Sequence, residues 1–300
     1  MGDFPTLEEQ MWNNGTRSLE KAIYPPDGRQ RLDCMRLNAM YRASSGQGSF
    51  DTFAYSISER RTSMVLAHYS GIIEKSQAAL SEMSEDHERY TKFIAAHNDA
   101  DELDNLVKLM SGRPEENIYN LARLEYQHAL YALSFAQYRQ AHVSLRLFME
   151  LSLSGILFSA HEIDTHLWLK GQKDSNWSSI ISNENGVFSK SFVGAFFEDM
   201  KEFCSEYLAM AKAVYRECSE FVHGNRSSFD GIDSEIKYHN EIADKWLDRA
   251  DTVRILVKFA FLTRYLPHAS ASTKNEFEQM AIEQFGTLPP IQAMYSGATS

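Results

Sequence analysis

Residues 191–223 read SFVGAFFEDMKEFCSEYLAMAKAVYRECSEFVH, and this stretch decides the fold. Val193, Phe196/Phe197, Met200, Phe203/Cys204, Tyr207/Leu208, Ala211, Val214/Tyr215, Cys218 and Phe221/Val222 recur at steps of three and four. A half-buried strand alternates with period two; this pattern has period 3.6 and predicts about eight turns of one amphipathic helix from Ser191. His223-Gly224-Asn225 ends it, because glycine favours the left-handed turn that closes helices.

The same period extends outward. Glu115 to Trp168 predicts one or two long helices, with Phe135, Tyr138, Ala141/His142, Leu145, Phe148/Met149, Ser152 and Ile156 on one stripe. Leu147, Leu151, Leu153 and Leu157 add apolar surface elsewhere, so this helix belongs inside a bundle. A further helix is predicted from about Asp233 to Leu266, stopped by Pro267. Upstream, Pro5 to Tyr41 reads as helix, break, helix, Phe50–Ile57 is ambiguous and would be an extended piece without an obvious partner strand, and Glu59–Met83 reads as helix. Ser84–Asp104 is polar and acidic and reads as a solvated helix or hairpin. Ser111-Gly112-Arg113-Pro114 is the sharpest boundary, since Gly ends helices and Pro starts them. It divides the chain into a helical region of unknown role (1–111), a bundle (112–268) and a loosely held tail (269–300).

Composition agrees with an all-α chain. Of 300 residues only 15 are Gly and 7 Pro, too few turn formers for many short strands. Three Cys at unrelated spacings give neither a disulfide framework nor a zinc site. The net charge of −11 leaves no broad basic face for nucleic acid. No Gly-rich phosphate loop or dinucleotide fingerprint occurs, which argues against an NTPase or dehydrogenase, and no cofactor is expected. The N-terminal residues lack a secretory signal, and the apolar run Leu151–Phe158 is shorter than the roughly 20 residues that span a bilayer. A soluble cytoplasmic protein without a membrane partner is the expectation.

The chemistry concentrates at Val214-Tyr215-Arg216-Glu217-Cys218-Ser219-Glu220-Phe221-Val222-His223-Gly224-Asn225. Arg216 and His223, seven residues apart, fall about 20° apart around the axis and about 10 Å apart along it. Ser219 lies between them. Arg binds phosphate oxygens with a planar fork, and His moves protons near neutrality. The same pair also arises by chance at helix ends, where His caps carbonyls. Acids surround the motif: Glu198, Asp199, Glu202, Glu217, Glu220, Asp230, Asp233 and Glu235 outnumber Lys190, Lys201, Lys212, Arg216 and Arg226. Such a neighbourhood repels a polyanion unless a partner supplies the surface.

The segment Tyr215–Asn225, YRECSEFVHGN, resembles the signature end of the HEPN superfamily (higher eukaryotes and prokaryotes nucleotide-binding domain). Ala141–Glu150, AHVSLRLFME, is similar to that family's upstream helix, with an Arg and an acid one turn later. The resemblance covers about residues 115–267 and implies an up-and-down helical bundle. It also implies a metal-independent endoribonuclease in which Arg216 and His223 are catalytic and two copies pair their sites across a dimer. Ser219 and Asn225 would hold RNA or order His223, and Arg146 and Glu150 would act behind them. A toxin–antitoxin or antiviral defence role follows from the resemblance too. Active members usually carry Asn, Asp or His directly after the Arg, where this chain has Glu217. An inactive bundle that binds RNA, a nucleotide or a protein complex is the alternative, and a plain helical scaffold is the third reading.

Two other clusters have simpler readings. His161 and His166 are five residues apart and diverge by about 140° on a helix, which is no metal pair; Glu162 and His166 share a face as an i,i+4 pair. Arg146 and Glu150 are one turn apart on an apolar helix, so a buried ion pair competes with the functional reading.

Overall fold

The computed structural model describes residues 48–223 and 235–296, with side chains from residue 62 onward. The expectations for Pro5–Tyr41, for Asn225 and for Asp230 and Asp233 lie outside those residues. The chain divides into two compact units, Met1–Tyr69 and Ser70–Ser300. The described part of the first is helix throughout, so Phe50–Ile57 is helical rather than extended. The described residues contain no strand, and the chain is all-α.

Helix α1 spans Gly48–Glu85 and α2 spans His87–Asn105. A 3₁₀ turn at Leu106–Met110 leads to Gly112, whose φ of +78° suits glycine, and then to α3, Glu116–Ser134. Helix α4, Tyr138–Phe158, returns antiparallel to α3. Ala136 joins them at φ +53°. Gln137 N–H bonds to the Ala132 carbonyl at 2.8 Å and Ala136 N–H to that of Leu133 at 2.9 Å, which is the Schellman closure with alanine where glycine is usual.

Helix α4 is the centre of the bundle. It packs against α3, against α8 (Cys204–His223) and against α9 (Asn240–Tyr265). By length and composition α4 could cross a membrane, but most of it is buried among its neighbours. Its C-terminal carbonyls need cations, and two arrive. Arg264 of α9 donates to Ser159 Oγ at 2.7 Å and to the Ser159 carbonyl at 3.2 Å, and Arg113 donates to that carbonyl at 3.2 Å. Buried Glu115 accepts from Arg113 and, at 3.0 Å, from the Tyr265 hydroxyl.

Of the two readings of the Ser84–Asp104 segment, helix and hairpin, the structure shows the helix, α2, docked on α9 by charge. Lys258, 2% exposed, reaches Asp99 at 3.0 Å and Glu102 at 2.6 Å. Arg254 pairs with Asp99, and Arg89 with Asp244 at 2.7 Å. Acids that read as a solvated face are therefore counter-ions for cations on a buried helix.

Ser191–His223 is not one helix. Helices α5 (Glu162–Leu169) and α6 (Trp177–Ile180) precede α7, Lys190–Phe196. Phe197 then leaves the helical region at φ −146° and ψ 83°, a 3₁₀ turn covers Glu198–Met200, and α8 starts at Cys204. The break turns Met200 into the core, and both pieces keep apolar residues inward, which is why the period looks continuous. The helix before Pro267 starts at Asn240 rather than near Asp233. Downstream, α10 (Ala271–Glu276), α11 (Glu278–Phe285) and α12 (Pro289–Ser296) replace the loosely held tail. Phe277, Met280, Ala281, Phe285, Ile291 and Tyr295 tie them to the common core.

Candidate functional site

Helix α8 buries Cys204, Ala211, Val214, Cys218 and Phe221, a stripe at helical spacing that seats it against α4 and α9. The row Arg139, His142, Arg146 and Glu150 of α4 faces it, running antiparallel. At 100° per residue, Arg216 and His223 point about 140–160° away from Cys218. Both are exposed, on the outward face of α8. Neither makes a hydrogen bond or ion pair with the described residues. They form no part of the cleft of about 550 Å³ between Lys75, Glu82 and Ile236, nor of the one of about 470 Å³ beside Arg113 and His166.

The remaining sequence candidates divide. Ser219 donates its hydroxyl to the Tyr215 carbonyl at 2.6 Å, so its proton is committed to its own helix. Arg146 and Glu150 pair at 3.5 Å, half-buried. They gather around Tyr215 rather than Arg216 or His223. Arg146 donates to the Tyr215 hydroxyl, which lies 3.4 Å from Glu150 Oε2, while Ser175 bonds Glu150 Oε1 at 3.1 Å. Trp177 stacks on the Tyr215 ring at 3.6 Å and 6°. This cluster clamps the residue next to Arg216 and so fixes the helix backbone from which Arg216 projects. His166 and Glu162 form an exposed i,i+4 pair at 3.7 Å. Among the described residues no three His, Cys, Asp or Glu converge as a metal site.

Three residues beneath the motif were not singled out from the sequence: His142, Arg249 and Arg139. The His142 ring stacks on Phe221 at 3.8 Å and 7° and is wholly buried. Its Nδ1 lies 2.8 Å from the Tyr138 carbonyl, which can only accept, so Nδ1 carries the proton. Its Nε2 then accepts from Arg249 Nη1 at 2.9 Å, and Arg249 Nε donates to Glu217 Oε2 at 2.7 Å. Burial, and secondarily the Arg249 cation, hold the His142 pKa down to about 3. Arg139 of α4 donates its Nε to the Phe221 carbonyl at 3.0 Å, capping the end of α8 in trans. His142 carried a sequence signal, an imidazole on an apolar row. Arg249 carried none, being 32 residues from its acid.

These contacts change the electrostatic reading. Glu217 is paired with Arg249, Glu202 with Lys190 at 2.6 Å, Glu198 with Lys201 and Glu235 with Lys75 at 2.9 Å. Most of the acids flanking the motif that lie among the described residues have a cation of their own, while Arg216 and His223 meet no acid among those residues. Comparison with known proteins finds no matching family model, no matching curated protein and no matching solved structure.

Proposed function

We propose that the chain is a HEPN-like, metal-independent endoribonuclease of the cytoplasm, with Arg216 and His223 as its catalytic pair. The observation that carries this reading is their alignment on one exposed face, with no hydrogen bond or ion pair to either among the described residues. In the reaction, the RNA 2′-OH attacks its own adjacent phosphorus and the bond to the 5′-oxygen of the next nucleotide breaks. The products are a 2′,3′-cyclic phosphate and a 5′-OH end. His223 moves the proton between the entering and leaving oxygens, and Arg216 holds the charge that grows on the non-bridging oxygens. An open helix face cannot exclude water, so a second copy completes the site by pairing its own α8 face across a twofold axis. A role as a toxin or antiviral effector is part of the same proposal.

The openness of that face favours a second reading, an inactive HEPN-like module that docks RNA, a nucleotide or a protein partner. The Arg249–Glu217 pair leans the same way, because it places a structural acid where active relatives carry a different residue. Expression of the wild type beside His223→Ala, with RNA ends mapped, separates the two. Cleavage with cyclic-phosphate ends that persists in EDTA and is lost in the variant supports the enzyme. Binding without cleavage supports the module.

A further inference from the structure

The end of α8 carries a second cation that the motif does not contain. Arg139 lies at the start of α4, which meets the end of α8 because the two helices run antiparallel. Its Nε is spent on the Phe221 carbonyl at 3.0 Å. That carbonyl precedes His223 by two residues, about 3 Å of helix rise. The side chain is exposed, and its two terminal nitrogens make no hydrogen bond or ion pair with the described residues. One bond through Nε fixes the plane of a guanidinium and leaves the Nη edge free to meet a phosphate in its forked geometry. Glu217, an acid that would oppose an anion here, is already held by Arg249 at 2.7 Å.

We propose that Arg139 is a phosphate-binding residue of the same site, holding the single strand beyond the scissile bond where it passes over the end of α8. This rests on RNA being the ligand of the α8 face. The path runs from Arg216 along the helix to His223 and on to Arg139, so that separate phosphates meet the two arginines. Capping the helix and binding the strand are compatible, since they use different nitrogens.

The test is fluorescence anisotropy with a 2′-O-methyl oligoribonucleotide, which cannot be cleaved, titrated against the full-length wild type, Arg139→Gln and Arg139→Lys at several salt concentrations. Each phosphate contact on a single strand releases about 0.7 counterion, so loss of one lowers the log–log salt slope by about 0.7 and weakens binding roughly 8-fold at about 50 mM salt. Arg139→Gln keeps a donor for the Phe221 carbonyl and should show that loss. Arg139→Lys keeps the charge and should retain the wild-type slope. A Gln variant with wild-type slope and affinity overturns the proposal, as does a wild type that does not bind, or a Lys variant that loses the slope. Cleavage is scored separately on ordinary RNA. A wild type that binds through Arg139 but leaves RNA intact refutes the nuclease reading and leaves this inference standing.

Discussion

Lowering the pH should weaken the fold through one residue, His142. Its ring is sealed between α4 and α8, stacked on Phe221, with Arg249 against Nε2 and the Tyr138 carbonyl against Nδ1. Burial depresses its pKa from 6.5 to about 3 in the folded chain. A histidine depressed in this way binds fewer protons folded than unfolded, so acid favours the unfolded chain. The stability it contributes is complete above pH 6.5 and is lost progressively from there down to about 3. Between about pH 7.5 and pH 5 the linkage amounts to about 2 kcal/mol, at about 1.4 kcal/mol per pH unit. For a unit of this size that is a fall in Tm of roughly 4–8 °C. Other groups titrate in the same window, so the assay is a comparison. Urea unfolding of the wild type and of His142→Gln is measured at both pH values, Gln being uncharged and able to accept from Arg249. The gap between the two proteins should narrow by about 2 kcal/mol on acidification. Parallel pH profiles, or an imidazole NMR titration of His142 with a midpoint above 5, would refute the reasoning.

Other outcomes follow from the same packing. Lys258→Met leaves Glu102 without its cation, while Asp99 keeps Arg254 and Glu102 is 38% exposed. The cost should sit near the low end for breaking a buried pair, about 3 kcal/mol by urea unfolding, and a loss below about 1 kcal/mol would mean that α2 is not held by charge. Ala136→Gly relieves a left-handed alanine in the turn between α3 and α4. It should stabilise the protein by up to about 1 kcal/mol after the added freedom of the unfolded chain is counted, and a destabilised variant would show that the Ala136 methyl matters more than the turn.

The helical class was legible because turn formers are few and the apolar period is 3.6 over long stretches. The alignment of Arg216 with His223 was legible for the same reason, being fixed by helix geometry alone. What the local pattern could not reveal is where helices break without Gly or Pro. Ala136 leaves the helix with neither Gly nor Pro beside it, and Phe197 does so three residues past Gly194 while the apolar period continues, so neither break shows in the pattern. Nor could it reveal pairings at long range. Lys258 with Asp99 and Glu102, and Arg249 with Glu217, join residues far apart in the chain, so acids that read as solvated are structural. The segment after Pro267 read as a weak helix and then a coil because Gly, Pro and Ser punctuate it near the chain end, yet Phe277, Phe285 and Ile291 dock three short helices.

The central claim is that the outward face of α8 moves a proton on RNA. The most direct measurement is the single-turnover cleavage rate of a short RNA in EDTA by the wild type, His223→Ala, Arg216→Ala and Arg216→Lys, each checked for an unchanged Tm. His223→Ala and Arg216→Ala should each lower the rate by about 10²–10⁴-fold, with Lys failing to replace the guanidinium fork. Both side chains are exposed, so folding should be unaffected. Rates unchanged in folded variants, or activity abolished by EDTA, would contradict the assignment.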